Sequence, residues 1–305
     1  MPYATLDSLP DALIDGLQAG TLAPYLGPLV LSLCPAVPVP ATPLDLATFL
    51  NAKTSVPGKI RNRLTAVAQF IENFKHRKTL VTAMNEAFAA TPEPSPLHRW
   101  LAALPSPVIV DTWYDDTMRG ALAARSGTVP PDACGVAPRG GVSALGRPGA
   151  ADWAEVQGLS QSEHFGTWTG WYTAAGELSP DPIETTTVLY KPWGAHGPAS
   201  NYLVSDTDYV EVLTEIDIQT PIPALVQQRR AEFGFVFLGC RFNDQLPRAF
   251  ARQIMKRSKG PHYAVLPDEP TRMEARFLEE QGITRIAMPL ADVAAQLTAG
   301  VAVAA

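Results

Sequence analysis

Four short stretches of this chain place glycine, polar or indole residues directly after an apolar run of strand character, and chemistry could be done there. In Tyr25-Leu26-Gly27-Pro28-Leu29 the missing side chain of Gly27 would let backbone amides approach a phosphate. A full three-glycine fingerprint is absent, because positions 29 and 32 are Leu and Ser. In Phe235-Val236-Phe237-Leu238-Gly239-Cys240-Arg241-Phe242-Asn243-Asp244 a glycine, a small residue and an acid follow the run, a set that can bind a ribose hydroxyl and admit an adenine. A tight turn with Asn243 or Asp244 capping the next helix accounts for the same residues equally well.

The other two stretches end in tryptophan. Val108-Ile109-Val110-Asp111-Thr112 leads into Trp113-Tyr114-Asp115-Asp116, and Thr187-Val188-Leu189-Tyr190-Lys191 leads into Pro192-Trp193-Gly194. An indole donates one hydrogen bond and cannot serve as a base near neutral pH, but it can stack on a flat ring. Base chemistry would fall to Asp115, or to His196 if the turn from Trp193 to Gly197 folds back. Each has a plainer reading: Asp115 and Asp116 as favourable charges at a helix start, His196 as an exposed residue of a glycine-rich loop, and Cys240 as a buried inert thiol.

These stretches need strands and helices to hold them. Leu9, Leu13 and Leu17 recur at helical spacing up to Gly20, and Leu22 to Leu26 reads as a strand. After Pro57, Ile60, Leu64, Val67, Ala68, Ile71 and Phe74 share one helical stripe, and residues 78–90 continue as helix. Residues 108–110 and 233–238 are unalternated apolar runs, as expected for strands buried on both faces. Helix 246–257, strand 262–266, helix 271–281, strand 283–288 and helix 290–297 follow, with Thr271 and Glu274 forming a capping box and Gly282 a stop. This alternation predicts an α/β fold with a mostly parallel sheet and helices on both faces. Ligands of such sheets bind outside the carboxyl ends of the strands, where all four stretches end.

Residues 120–183 break the pattern and read as an insertion within one domain spanning 1–305. Gly135 to Gly149 holds five glycines and two prolines and is expected to be a mobile loop. Trp153, Phe165, Trp168, Trp171 and Tyr172 then cluster, as a small satellite core or, less favoured, a lid or partner-docking surface.

A formal charge of −6 and a pI near 5.4 argue against nucleic acid or anionic lipid as the main partner. Cys34, Cys134 and Cys240 lie far apart, without the spacing of a disulfide framework or zinc site, so the expected compartment is reducing and cytoplasmic. Residues 22–44 carry no charge and are long enough to span a bilayer, but six prolines break them, and a buried strand followed by an extended loop is expected.

In order along nearly the whole chain, these segments resemble the SIR2-like domain of bacterial NAD-consuming proteins, a branch of the sirtuin superfamily. YLGPLVLS (Tyr25 to Ser32) is similar to the family's glycine-rich first turn, and VIVDTWYDD (Val108 to Asp116) to its strand ending in Thr-Asn-Tyr-Asp. LYKPWG (Leu189 to Gly194) resembles Leu-Tyr-Lys-Leu-His-Gly, SDTDYVEVL (Ser205 to Leu213) its Thr-Glu-x-Asp-Tyr helix start, and FVFLGCRFND (Phe235 to Asp244) its Phe-Leu-Gly-Tyr-Ser-x-x-Asp.

The resemblance implies a Rossmann-like domain binding NAD or ADP-ribose, without a metal, through Gly27, Pro28, Leu29, Thr112, Trp113, Asp115, Trp193, Gly239, Cys240 and Asp244. It also implies that the family's catalytic Asn and His are replaced here by Trp113 and Trp193. Loss of nicotinamide leaves an oxocarbenium-like ribose that needs a polar orienting group and a base. Hydrolysis is therefore expected to be impaired or absent. The alternatives are an active NAD glycohydrolase using Asp115 and His196, and a scaffold whose pocket is filled by the two indoles. Deacylation ranks lower, since the four zinc-binding cysteines of deacylating sirtuins are missing.

Overall fold

The apolar runs pair into one ten-stranded sheet in a computed structural model that describes residues 3–125, 152–159, 169–218 and 222–299. The elements are β1 (Thr5–Leu6), α1 (Asp11–Gln18), β2 (Leu22–Leu26), a 3-10 helix (Pro28–Leu33), α2 (Pro43–Lys53), α3 (Leu64–Lys75), α4 (Arg77–Ala87) and α5 (Pro96–Ala103). Next come β3 (Val108–Asp111), α6 (Thr117–Arg125), β4 (Trp153–Gln157), β5 (Gly170–Thr173), β6 (Leu178–Ser179), β7 (Thr187–Lys191) and α7 (Asp206–Ile218). The last are α8 (Ala224–Arg230), β8 (Gly234–Leu238), α9 (Gln245–Met255), β9 (His262–Val265), α10 (Arg272–Gln281), β10 (Ile283–Ile286) and α11 (Leu290–Ala299).

The strand order is β1-β10-β9-β8-β2-β3-β7-β4-β5-β6, parallel from β1 to β4 and antiparallel from β4 to β6. The chain builds outward from β2 in one direction, then returns to add β8, β9 and β10 on the other side. The order therefore reverses between β2 and β8, the place where open α/β sheets bind ligands.

Successive strand residues face opposite sides, so each strand feeds two cores. Tyr25, Val110, Tyr190, Phe235 and Phe237 pack under α2, α3, α4 and α7 to α9. Leu22, Leu26, Ile109, Leu189 and Leu238 pack under α1, α5, α6 and α11. Both faces of the central strands are thus buried, which is why their sequences show no alternation.

Three expectations need correction. The chain after the first strand is not one extended loop, because Pro28–Leu33 is 3-10 helical and α2 already begins at Pro43. Thr42 caps that helix by accepting from the Asp45 N–H, and a proline in the first turn removes no helical hydrogen bond. The stripe after Pro57 becomes helical only from Leu64; Ile60 precedes it, and Phe74 is 67% exposed.

The satellite core is the third. Strand β4 joins the main sheet beside β7, and β5 pairs with β4. Trp153 is buried in the core beneath α5 and α6, whereas Trp171 is buried in the core on the opposite face. The two indoles are main-core residues and Tyr172 is buried beside them; Trp168 and Phe165, the loop Gly135 to Gly149, and Cys134 lie outside the described residues. No helix among the described residues is long and apolar enough to cross a membrane.

Candidate functional site at the strand ends

At the reversal of strand order the two glycine turns lie back to back. The Gly27 N–H donates to the Leu238 carbonyl (2.9 Å), and the Leu29 N–H donates to the Gly239 carbonyl (3.2 Å). A Cβ on Gly27 would lie 2.4 Å from the Gly239 carbonyl oxygen; one on Gly239, whose φ is +66°, would lie 2.6 Å from the Val30 nitrogen. The close approach anticipated at Gly27 is therefore made by the neighbouring turn, and Pro28 has no N–H to offer. The amides of Gly27 and Leu29 are committed to β8 and do not present a free phosphate cradle.

Thr112 extends the same cluster, donating from both its N–H and its hydroxyl to the Leu26 carbonyl. Cys240 is buried, with its thiol directed at the carbonyls of Tyr25 and Leu238, and burial raises its pKa, so it is an inert thiol. Asp244 caps α9 by accepting from the Gln245 N–H and remains exposed.

Both indoles turn into the core shared by α2–α4 and α7–α9. Trp113 is 5% exposed, packs edge-on to Phe88 (6.0 Å), and donates from Nε1 to the Pro40 carbonyl at 2.8 Å. Trp193 is 7% exposed and packs on Phe250 (5.0 Å) and Tyr209 (6.0 Å). Tyr114 is also buried and donates to the Leu203 carbonyl. The SDTDYVEVL stretch supplies Tyr209 to this cluster, while its Asp208 accepts from the N–H groups of Val204 and Ser205 and pairs with Arg77 of α4.

The opposite face carries a charged group that sequence reasoning passed over. Lys191, fully buried at the end of β7, donates to Asp111 Oδ2 and to the Asp115 carbonyl, both at 2.7 Å. Burial pushes the Asp111 carboxyl up to about 6 against the pull of Lys191. Burial would lower Lys191, yet Asp111 and Asp115 hold it above its ordinary value. The available signal was a lone lysine and a lone aspartate each closing an apolar run, a pattern that calls for mutual neutralisation.

Asp115 and His196 are not brought together. The Asp115 carboxylate is buried and accepts from the Thr117 N–H (2.9 Å), capping the start of α6. His196 Nδ1 lies 3.2 Å from Asp116 Oδ2, and Asp116 also accepts from the Gly197 N–H. The loop does fold back, since the His196 N–H donates to the Tyr114 carbonyl, but the carboxylate it meets is Asp116.

The turn after β8 is braced from outside. Glu274 accepts from Arg241 (3.1 Å), from the Phe242 N–H (3.2 Å), and from the Thr271 N–H and hydroxyl. Burial pushes its carboxyl up, but the Arg241 and Thr271 hydrogen bonds outweigh that and hold it below its ordinary range. Its contribution is thus present above the unfolded value near pH 4.3 and is lost as pH falls through the folded value. Glu274→Gln is expected to cost about 1–3 kcal/mol at pH 7, with the gap to the unsubstituted protein closing in urea melts at acid pH.

An open, mostly parallel sheet with helices on both faces, reversing its strand order between two glycine turns, defines a Rossmann-like α/β fold. Residues 107–286 match the family model of the SIR2-like domain, and the chain belongs to that family. The matched stretch holds the VIVDTWYDD, LYKPWG, SDTDYVEVL and FVFLGCRFND segments; the Gly27 turn precedes it but is carried into its midst by β2. No curated protein matched the chain.

Proposed function

We propose that this SIR2-like domain binds NAD, ADP-ribose or a related nucleotide at the β2/β8 reversal and hydrolyses NAD poorly or not at all. The observation that carries the second half is the burial of Trp113 and Trp193 at the two positions where the family resemblance places its catalytic Asn and His. Neither indole can take a proton, and the hydrogen-bonding edge of Trp113 is already committed to Pro40.

Binding draws support from family membership, from the switch-point position of Gly27 and Gly239, and from Asp244, an exposed carboxylate of the kind that engages a ribose hydroxyl. The fit is incomplete. The committed amides of Gly27 and Leu29 require any phosphate to find other donors. Cys240, Thr112, Pro28 and Leu29 would lie beside the bound nucleotide.

Purified protein with NAD or ADP-ribose is expected to show a rise in Tm without release of nicotinamide. With free ligand at 100 times Kd the gain would be about 2.7 kcal/mol. Rapid release would overturn the impaired reading and favour the glycohydrolase alternative, in which His196 would act with Asp116 rather than Asp115. Absence of a Tm rise with either nucleotide would overturn binding and favour the scaffold, a reading that the close-packed turns and buried indoles also fit.

A further inference from the structure

Beyond the β3–β7 ion pair, at the end of β4, lie two buried acceptors that no donor among the described residues satisfies: Glu155 Oε2 and Gln157 Oε1. Their side chains are already joined, because Gln157 Nε2 donates to Glu155 Oε1 at 2.6 Å. The same amide nitrogen donates to the Gly197 carbonyl, also at 2.6 Å, so it is not reversed end for end. One proton on Glu155 Oε2 could be donated to Gln157 Oε1, closing a cyclic acid–amide pair and satisfying both acceptors. We propose that Glu155 is held as a neutral carboxylic acid paired with Gln157, and that its ionisation above neutral pH loosens the Gly197 segment of the loop carrying Trp193 and His196.

The surroundings support this. Glu155 is fully buried, and burial pushes its carboxyl up to about 7 against Arg119 and Lys191. Arg119 of α6 approaches Oε2 only to 3.5 Å, and Lys191 of β7 is engaged by Asp111 and the Asp115 carbonyl. Tyr172 of β5 sits directly across from Glu155, while Asp116 from the turn before α6 adds negative charge and has His196 beside it. Ionisation would set a carboxylate oxygen against the Gln157 carbonyl oxygen, and relieving that repulsion rotates the amide away from Gly197.

A carboxyl raised in the folded state contributes stability below its unfolded value, and that contribution is lost as pH rises through the folded value. Glu155→Gln keeps a donor and an acceptor but cannot ionise. It is expected to match the unsubstituted protein in Tm near pH 4, below the unfolded value of about 4.3, and to exceed it near pH 8.5. Amide exchange in 194–201, corrected for its intrinsic pH dependence, is expected to rise above neutrality in the unsubstituted protein only. If Glu155→Gln instead loses stability at both pH values, as Arg119→Met would, Glu155 is an ionised partner of Arg119 and the proposal fails. Carbon-13 NMR of glutamate carboxyls in the unsubstituted protein tests the same point independently of any variant. A resonance titrating near 7 is expected, and its absence overturns the proposal. None of these readouts involves a nucleotide, so they stand apart from the binding test.

Discussion

Lys191→Met is expected to be among the most damaging single substitutions in the domain, costing about 3–5 kcal/mol. The methionine fills similar space, so the loss is electrostatic. Asp111 would remain buried with the Trp113 N–H (3.1 Å) as its remaining donor among the described residues, and the Asp115 carbonyl would lose its donor. The carboxyl can escape by taking a proton, which raises its folded pKa further. The deficit should therefore be small near pH 5 and grow as pH rises through neutrality, readable in urea melts at both values. Asp111→Asn with Lys191→Met should recover most of it, because removing both charges of the pair leaves neither of them buried without the other. Equal deficits at the two pH values, or no recovery in the double variant, would count against the pairing.

Gly239→Ala is expected to cost about 2–5 kcal/mol, from two sources. A residue with a side chain at φ +66° pays about 1–2 kcal/mol for the left-handed conformation. The added methyl would also meet Val30 N at 2.6 Å and Leu29 C at 3.0 Å, backbone atoms that move only if the turns separate, at about 1–3 kcal/mol. Gly282→Ala isolates the first source, since Gly282 has φ +63° but nothing within 4 Å of an added Cβ. Gly282→Ala should cost about 1–2 kcal/mol, and the difference between the two measures how tightly β2 and β8 are locked. Similar losses for both would show that the turns give way easily.

Much of this architecture was legible because local signals agreed with the global fold. The Thr271–Glu274 capping box and Gly282 stop appear as read, with Gly282 in the left-handed conformation. The unalternated runs at 108–110 and 233–238 fall in β3 and β8, central strands with both faces covered. Residues 43–53 are obscured because proline density alone does not tell where each proline stands relative to a helix cap. The aromatic cluster around Trp153 and Trp171 was obscured because proximity in sequence does not reveal which side of a sheet each residue faces. Of the site, the four strand ends were legible and their partners were not. Gly27 reads as a place of close approach, but only the sheet order shows that Gly239 makes it. His196 reads as a base seeking a carboxylate, but only the turn geometry selects Asp116 over Asp115.

Strand β2 lies between β3 and β8, with Leu22 opposite Gly234 and Tyr25 opposite Val110. Its last partner is thus made some two hundred residues after it. During synthesis, β2 must wait with one ladder open until those further residues have been made. Closing such a long loop carries an entropic cost before any pairing repays it, which slows folding. Until β8 arrives, the exposed edge of an apolar strand is a template for mispairing, and a molecular chaperone shielding that edge would protect it until the long-range pairing is made.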